Sequence, residues 1–101
     1  MKVIYNVTVN ISDTKHDEWV AWMRDIHIPD VMKTGKFLEH RFCKVLSDDP
    51  EGTTYSIQYV CENHTALESY ISEDAAALQK DHHNKFEGHF VAFRTLLKWM
   101  E

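Results

Sequence analysis

Apolar and polar positions change their spacing several times along the chain, and each change marks an element. Residues 3–11 alternate strictly, with Val3, Tyr5, Val7, Val9 and Ile11 on one side and Ile4, Asn6, Thr8 and Asn10 on the other. That pattern predicts a β-strand with one apolar face. Ser12-Asp13-Thr14 then supplies helix-start chemistry, and Asp17 and Glu18 place negative charge in the first turn, where the helix dipole favours it. The spacing becomes helical: Trp19, Trp22, Met23 and Ile26 share one arc, bordered by His16, Val20 and His27. Pro29 disfavours helical backbone at Ile28, so a break or kink is expected at His27-Ile28-Pro29, with a further turn over residues 30–34 closed by Gly35.

Two β-rich runs, 37–46 and 53–61, flank the turn-forming cluster Asp48-Asp49-Pro50-Glu51-Gly52 and predict an antiparallel hairpin. Asn63 or Thr65 opens a second helix, Thr65 and Glu68 being spaced as a capping box, and its apolar stripe runs through Leu67, Tyr70, Ile71, Ala75 and Leu78. Asp74 interrupts this stripe. Either the helix breaks at Ser72-Glu73-Asp74 and Asp74 caps the next segment, the preferred reading, or its carboxylate is buried against a partner such as Arg94. Residues 90–99 form a last strand. The order is βαββαβ, an α+β ferredoxin-like sandwich in which two helices cover one face of a four-stranded antiparallel sheet. With no linker or repeat, a single domain over 1–101 is expected.

The strands carry more apolar material than that architecture covers. In the second strand Phe37, Cys43 and Val45 lie on one parity, and Leu38, Phe42 and Leu46 on the other; in the last, Val91, Phe93, Leu97 and Trp99 oppose Phe90, Ala92 and Leu96. Both faces therefore need cover. A second copy of the same sheet supplies it, predicting a homodimer through the sheet faces, a dimeric α/β barrel.

Composition narrows the partners. The 101 residues hold 16 Asp plus Glu against 11 Lys plus Arg, a formal net charge of -5, which argues against nucleic acid as a partner. No apolar run is long enough for a membrane span, and the first residues turn polar too soon for a signal peptide. Cys43 and Cys61 lack a CxxC spacing and read as reduced strand residues, so a cytoplasmic protein is expected.

Two groups of residues could carry chemistry. His27 sits at the edge of the apolar arc; it either acts as a general acid or base or caps the last carbonyls of a kinked helix. Trp22 beside it either packs in the core or lines a pocket. The second group is polar and lies on the strands: Asn6, Thr8 and Asn10, then Ser56 and Gln58, with Arg41, Tyr59 and Arg94 among apolar neighbours. If the faces align they converge on an enclosed interior and bind a small molecule; otherwise they satisfy one another. The parity of Arg41 depends on the hairpin turn. Seven histidines invite a metal, but no HxxxH or HExxH spacing occurs, and no metal site or cofactor is expected. Gly-rich phosphate loops and nucleophile triads are likewise missing from the sequence.

Tyr5-Asn6-Val7-Thr8-Val9-Asn10-Ile11, His16, residues 19–23, His27-Ile28-Pro29, Thr34-Gly35-Lys36-Phe37, residues 54–59 and residues 90–95 together resemble a small bacterial family, domain of unknown function 4286. The likeness spans nearly the whole chain and implies no particular activity. That family is similar in turn to the dimeric α/β-barrel group, which includes cofactor-free aromatic monooxygenases, haem-degrading oxygenases, muconolactone-type isomerases and stress-response proteins. The group implies the fold, not the chemistry. Its haem-degrading members imply an axial histidine on the second helix with a polar strand residue above the iron; His82 and Asn6 are the nearest counterparts, and no motif is matched. Three functions follow: a binder of a small aromatic or carboxylate-bearing metabolite between the first helix and the sheet; a cofactor-independent oxygenase or isomerase using His27, with Asn6, Tyr59 or Arg94 orienting the substrate; or an interaction module with a purely structural polar interior.

Overall fold

A computed structural model describes residues 1–47 and 50–101. Asp48 and Asp49 of the expected turn lie outside the described residues. In chain order the elements are β1 (Val3–Ile11), a 3₁₀ turn (Asp13–Lys15), α1 (His16–Trp22), a π-helical segment (Met23–His27), α2 (Ile28–Met32), β2 (Glu39–Lys44), β3 (Thr53–Cys61), α3 (His64–Glu73), α4 (Ala75–Phe86) and β4 (Phe90–Lys98). All strand pairs are antiparallel, in the order β2-β3-β1-β4. This is the ferredoxin-like sandwich, with β2 and β4 at the edges.

Register decides which side chains reach the helices. Tyr5 pairs with Tyr59, Val7 with Ile57 and Arg94, Val9 with Tyr55 and Ala92, while β2 sets His40 against Tyr59 and Phe42 against Ile57. Because successive strand residues point to opposite faces, these rows lie under the helices. Tyr5, Val9, Tyr55, Ile57 and Tyr59 join Trp19, Leu67, Tyr70 and Phe86 in one buried core. The intervening rows, Arg41–Gln58–Asn6–Thr95 and Cys43–Ser56–Thr8–Phe93, face away from the helices.

The first helical run differs from expectation in one instructive way. Pro29 neither breaks it nor pushes Ile28 out of helical backbone, since Ile28 has φ −60° and ψ −45°. The run switches register before the proline: the Ile28 N–H bonds to the Met23 carbonyl, five residues back. Pro29 then falls in the first turn of α2, where a missing N–H breaks no bond. The extra residue in that turn also rotates the apolar arc. Ile26 turns outward and is 50% exposed, while His27 moves inward and Ile28 and Val31 are buried.

The second helical run breaks at Asp74, as the stripe suggested, but Asp74 does not cap α4 with its side chain. Its carboxylate accepts instead from Lys36 Nζ at 2.9 Å, a cation shared with Glu73 at 2.8 Å, and no bond to Arg94 forms. These carboxylates raise the Lys36 pKa. Asn63 caps α3 by accepting from the Ala66 N–H at 2.9 Å, so Thr65 lies inside the helix rather than opening it. Ile71, placed in the stripe from its spacing, is exposed. At the hairpin, Gly52 has φ 75° and packs so close to β1 that a Cβ would sit 2.6 Å from the Asn10 side-chain oxygen and the Ile11 carbonyl.

Candidate functional site

Between the first helical run, α4 and the sheet lies a cavity of about 30 Å³. By the usual measure that holds about two ordered waters. Apolar side chains form most of its wall: Val7, Val9 and Ile57 from the sheet, Met23 and Val31 from the first helical run, and Leu78 from α4. Into this wall converge His27, His82, Gln79, Arg94, Tyr5, Tyr59 and Tyr70. Arg94 is on the edge strand β4 and is exposed, so it stands at the mouth.

The polar groups hold one another in a definite order. Arg94 Nε donates to the Tyr5 hydroxyl at 3.0 Å, and Gln79 Nε2 donates to the same oxygen at 3.4 Å. The buried Trp19 indole N–H donates to His82 Nε2 at 2.9 Å. Trp22 lies behind His27, its ring stacked at 4.8 Å and 23°, and packs on Phe86 and His82. The two imidazoles meet edge to face, with centroids 5.6 Å apart and planes at 63°. His27 makes no hydrogen bond to any described residue, so the expected alternative of a helix-capping His27 is not what the structure shows.

Burial dominates the protonation of this cluster. It lowers the pKa of His27 to about 4, against the opposing pull of Asp30 and Asp81, with Arg94 adding to the fall. His82 is lowered to about 4 by burial, with His27, Arg94 and His83 acting in the same direction. Both rings are therefore neutral at pH 7. Burial also raises the Tyr59 and Tyr70 hydroxyls, which stay protonated. Cys61, buried in β3, has a thiol pushed up to about 11 and is unreactive at neutral pH.

Of the residues singled out in the sequence, His27, Tyr59 and Arg94 reach this cavity, and Trp22 backs one of them without lining it. Asn6, Thr8, Arg41 and Gln58 do not reach it. The register puts all four on the face away from the helices, because they alternate with the residues that line the cavity. There the polar side chains engage one another: Ser56 Oγ donates to Asn6 Oδ1 at 2.6 Å, Asn6 Nδ2 donates to Thr8 Oγ1 at 3.2 Å, and Arg41 lies over the Trp99 ring and 3.5 Å from Glu39. The haem arrangement fails for the same reason. Asn6 and His82 are on opposite sides of the sheet, and the His82 Nε2 lone pair is taken by Trp19. Among the described residues no three His, Cys, Asp or Glu side chains converge to hold a metal ion, and no helix is long and apolar enough to cross a membrane.

Reading the sequence missed Tyr5 and Gln79 as cavity residues and named His82, which follows Leu78 on one helical face, only as the counterpart of an axial histidine; its bond to Trp19 joins residues 63 positions apart and left no signal.

Known structures share the architecture. SnoaB, a cofactor-independent oxygenase from Streptomyces nogalater, superposes with a TM-score of 0.65 at 11% identity, over 99% of this chain and 94% of that one. An ethyl tert-butyl ether d family protein from Bacillus halodurans gives 0.73 at 10% identity, covering 97% and 99%. A Nitrosomonas europaea protein provisionally named an antibiotic biosynthesis monooxygenase gives 0.70 at 8% identity, covering 98% and 90%. At such identities the likeness establishes the fold alone. No curated protein sequence matches. A family model does match, over residues 2–100, and the chain belongs to that family, described as domain of unknown function DUF4286.

Proposed function

We propose that this protein binds a small aromatic or carboxylate-bearing molecule in the cavity between the first helical run and the sheet. The observation that carries the reading is the convergence of His27, His82, Tyr59 and Arg94 on one recess in an otherwise apolar layer. Convergent polar groups with an apolar surround are the usual make-up of a ligand pocket. A recess of about 30 Å³ admits a head group, not a whole ring, so the bulk of the ligand lies at the mouth beside Arg94 or displaces side chains of the π-helical segment. The protein acts as a homodimer joined through the uncovered sheet faces, and its two unpaired cysteines suit the cytoplasm. The test is a thermal-shift screen against small aromatic acids, amides and alcohols. A hit that is lost in Arg94→Gln and kept in Arg41→Gln supports the reading; equal loss in both, or no hit at millimolar concentration, refutes it.

A second reading rests on His27. A neutral imidazole on the cavity wall, without a hydrogen bond to any described residue, has a lone pair free for proton abstraction. SnoaB, described as a cofactor-independent oxygenase, has this fold. On that reading the ligand is a substrate, oxygenated or isomerised without a cofactor, and Tyr59 and Arg94 orient it. Oxygen uptake or isomer formation with a screened ligand, abolished in His27→Ala while binding persists, is the supporting result; binding with no turnover leaves the protein a binder.

A further inference from the structure

We propose that the occupant of the cavity presents a deprotonated oxygen, held by the Arg94 guanidinium, the Tyr5 O–H and the His82 Nδ1–H, and that Trp19 is the positioning residue that fixes His82 as a donor. This rests on the binding reading above and names its ligand chemistry.

The argument starts from the indole. A tryptophan N–H can only donate, so at His82 Nε2, 2.9 Å away, there must be a lone pair. In a neutral imidazole the proton is then on Nδ1, and the tautomer is set by the fold. His82 Nδ1–H has no hydrogen-bond acceptor among the described residues. No fully enclosed side-chain nitrogen or oxygen of the described residues lacks a partner, so this N–H must open onto accessible space. The ring lines the cavity and is only 8% exposed, and on this proposal its Nδ1–H points into that space.

The Tyr5 hydroxyl follows the same logic. Its oxygen accepts from both Arg94 Nε and Gln79 Nε2, so its own proton remains for a third group. Arg94 has spent only Nε on Tyr5, and among the described residues it has no ion pair with a carboxylate. The lining holds this one cation and no Asp or Glu. Asp30 and Asp81 act on His27 from outside the lining, so three donors, one of them charged, face a recess whose own wall supplies no carboxylate, and they match an oxygen anion such as a carboxylate or a phenolate. A neutral amide of the same shape offers these three donors a weaker acceptor, and its N–H₂ can turn only to the His27 ring nitrogen across the recess.

The experiment uses the full-length protein labelled with ¹⁵N, at pH 7, with benzoate, phenol and benzamide as probes. Long-range ¹H–¹⁵N spectra report the His82 tautomer directly, and the same spectra titrate the probes. The expected result is an Nδ1–H tautomer in the unliganded protein, benzoate binding about tenfold or more tighter than benzamide, and a comparable loss in Arg94→Gln. Phenol binding that strengthens as pH rises toward its own ionisation, with benzoate weak, identifies a phenolate site and keeps the proposal. Trp19→Phe is expected to release the tautomer and weaken the anion while sparing benzamide. If that variant does not fold, the wild-type tautomer and Arg94→Gln still decide. An Nε2–H tautomer, or benzamide binding as well as benzoate, overturns the inference while leaving a binding site. No binding by any probe overturns the binding reading and the ligand assignment with it, whatever the tautomer.

Discussion

The two faces of this sheet carry the same alternation and the same kinds of residue, yet they use their polar groups in opposite ways. On the face away from the helices, Ser56, Asn6 and Thr8 are joined in a hydrogen-bond chain, and Arg41 lies near Glu39 and Trp99. Under the helices, Tyr5, His82 and Arg94 bond to protein on one side and keep a further donor directed elsewhere. Donors left over on an open face can turn to water; in a low-dielectric recess they call for a ligand. The apolar residues divide in parallel. Those of β1 and β3 under the helices are buried or half-buried, while Leu96 on the edge strand is 53% exposed; on the other face Val91, Phe93 and Leu97 lie bare beside the polar chain.

The sharpest way to break this contrast is to truncate one aromatic on each face. Trp19 is fully buried among Phe42, Tyr55 and His82, and Trp19→Ala is expected to cost about 3–5 kcal/mol in urea unfolding, the usual toll of deleting a core aromatic. The variant also leaves His82 without its donor. A cost below about 1 kcal/mol would mean that the covered face is no tighter than the open one.

Acid supplies the next largest effect and belongs to the covered face alone. Unfolding returns His27 and His82 from about 4 to the ordinary value of 6.5. Above pH 6.5 neither state takes up a proton there, and the stability of the neutral buried rings is fully present. As pH falls from 6.5 toward 4 the unfolded chain binds protons that the folded chain refuses, and stability is lost, by about 2 kcal/mol per ring at pH 5. His27→Phe should remove roughly half of that loss, so its unfolding free energy at pH 5 and at pH 7 should lie closer together than in the wild type. Equal pH dependence in both proteins would mean that acid acts elsewhere.

Much of this was legible in the chain. The bounds of β1 and β3 follow from period-2 alternation with β-branched residues, and Asp74 in an apolar stripe marked the helix break. Strand parity was not legible. The side on which Arg41 falls depends on the length and shape of the hairpin turn, and one residue of slip would move it to the other face. The π-helical turn was also hidden, because a 3.6-residue period assigns Ile26 inward and His27 to the border, and only the shift to i→i−5 bonding exchanges them. The site was half visible for that reason: His27, Tyr59 and Arg94 could be named, and His82 only in a different role, since its bond to Trp19 joins residues far apart in sequence.

The smallest expected change in the fold itself is also the one that tests the uncovered face. Phe93 pairs with Thr8 on the outer side of β4 and is 62% exposed, with Val91 at 69% two residues along the same side. In an isolated subunit Phe93→Asp removes little buried area, so its unfolding free energy at low protein concentration should stay within about 0.5 kcal/mol of wild type. If two sheets meet face to face, the same substitution puts a carboxylate into an apolar contact in both copies. Association should then weaken by at least about tenfold in sedimentation equilibrium, since an unpaired buried charge costs more than the side chain it replaces contributed. A wild type that sediments as a monomer at every concentration would remove the homodimer, and the bare apolar strip on β4 would then need another occupant. A dimer untouched by Phe93→Asp would place the contact on a different surface, with the two faces of the sheet differing only in what covers them within one chain.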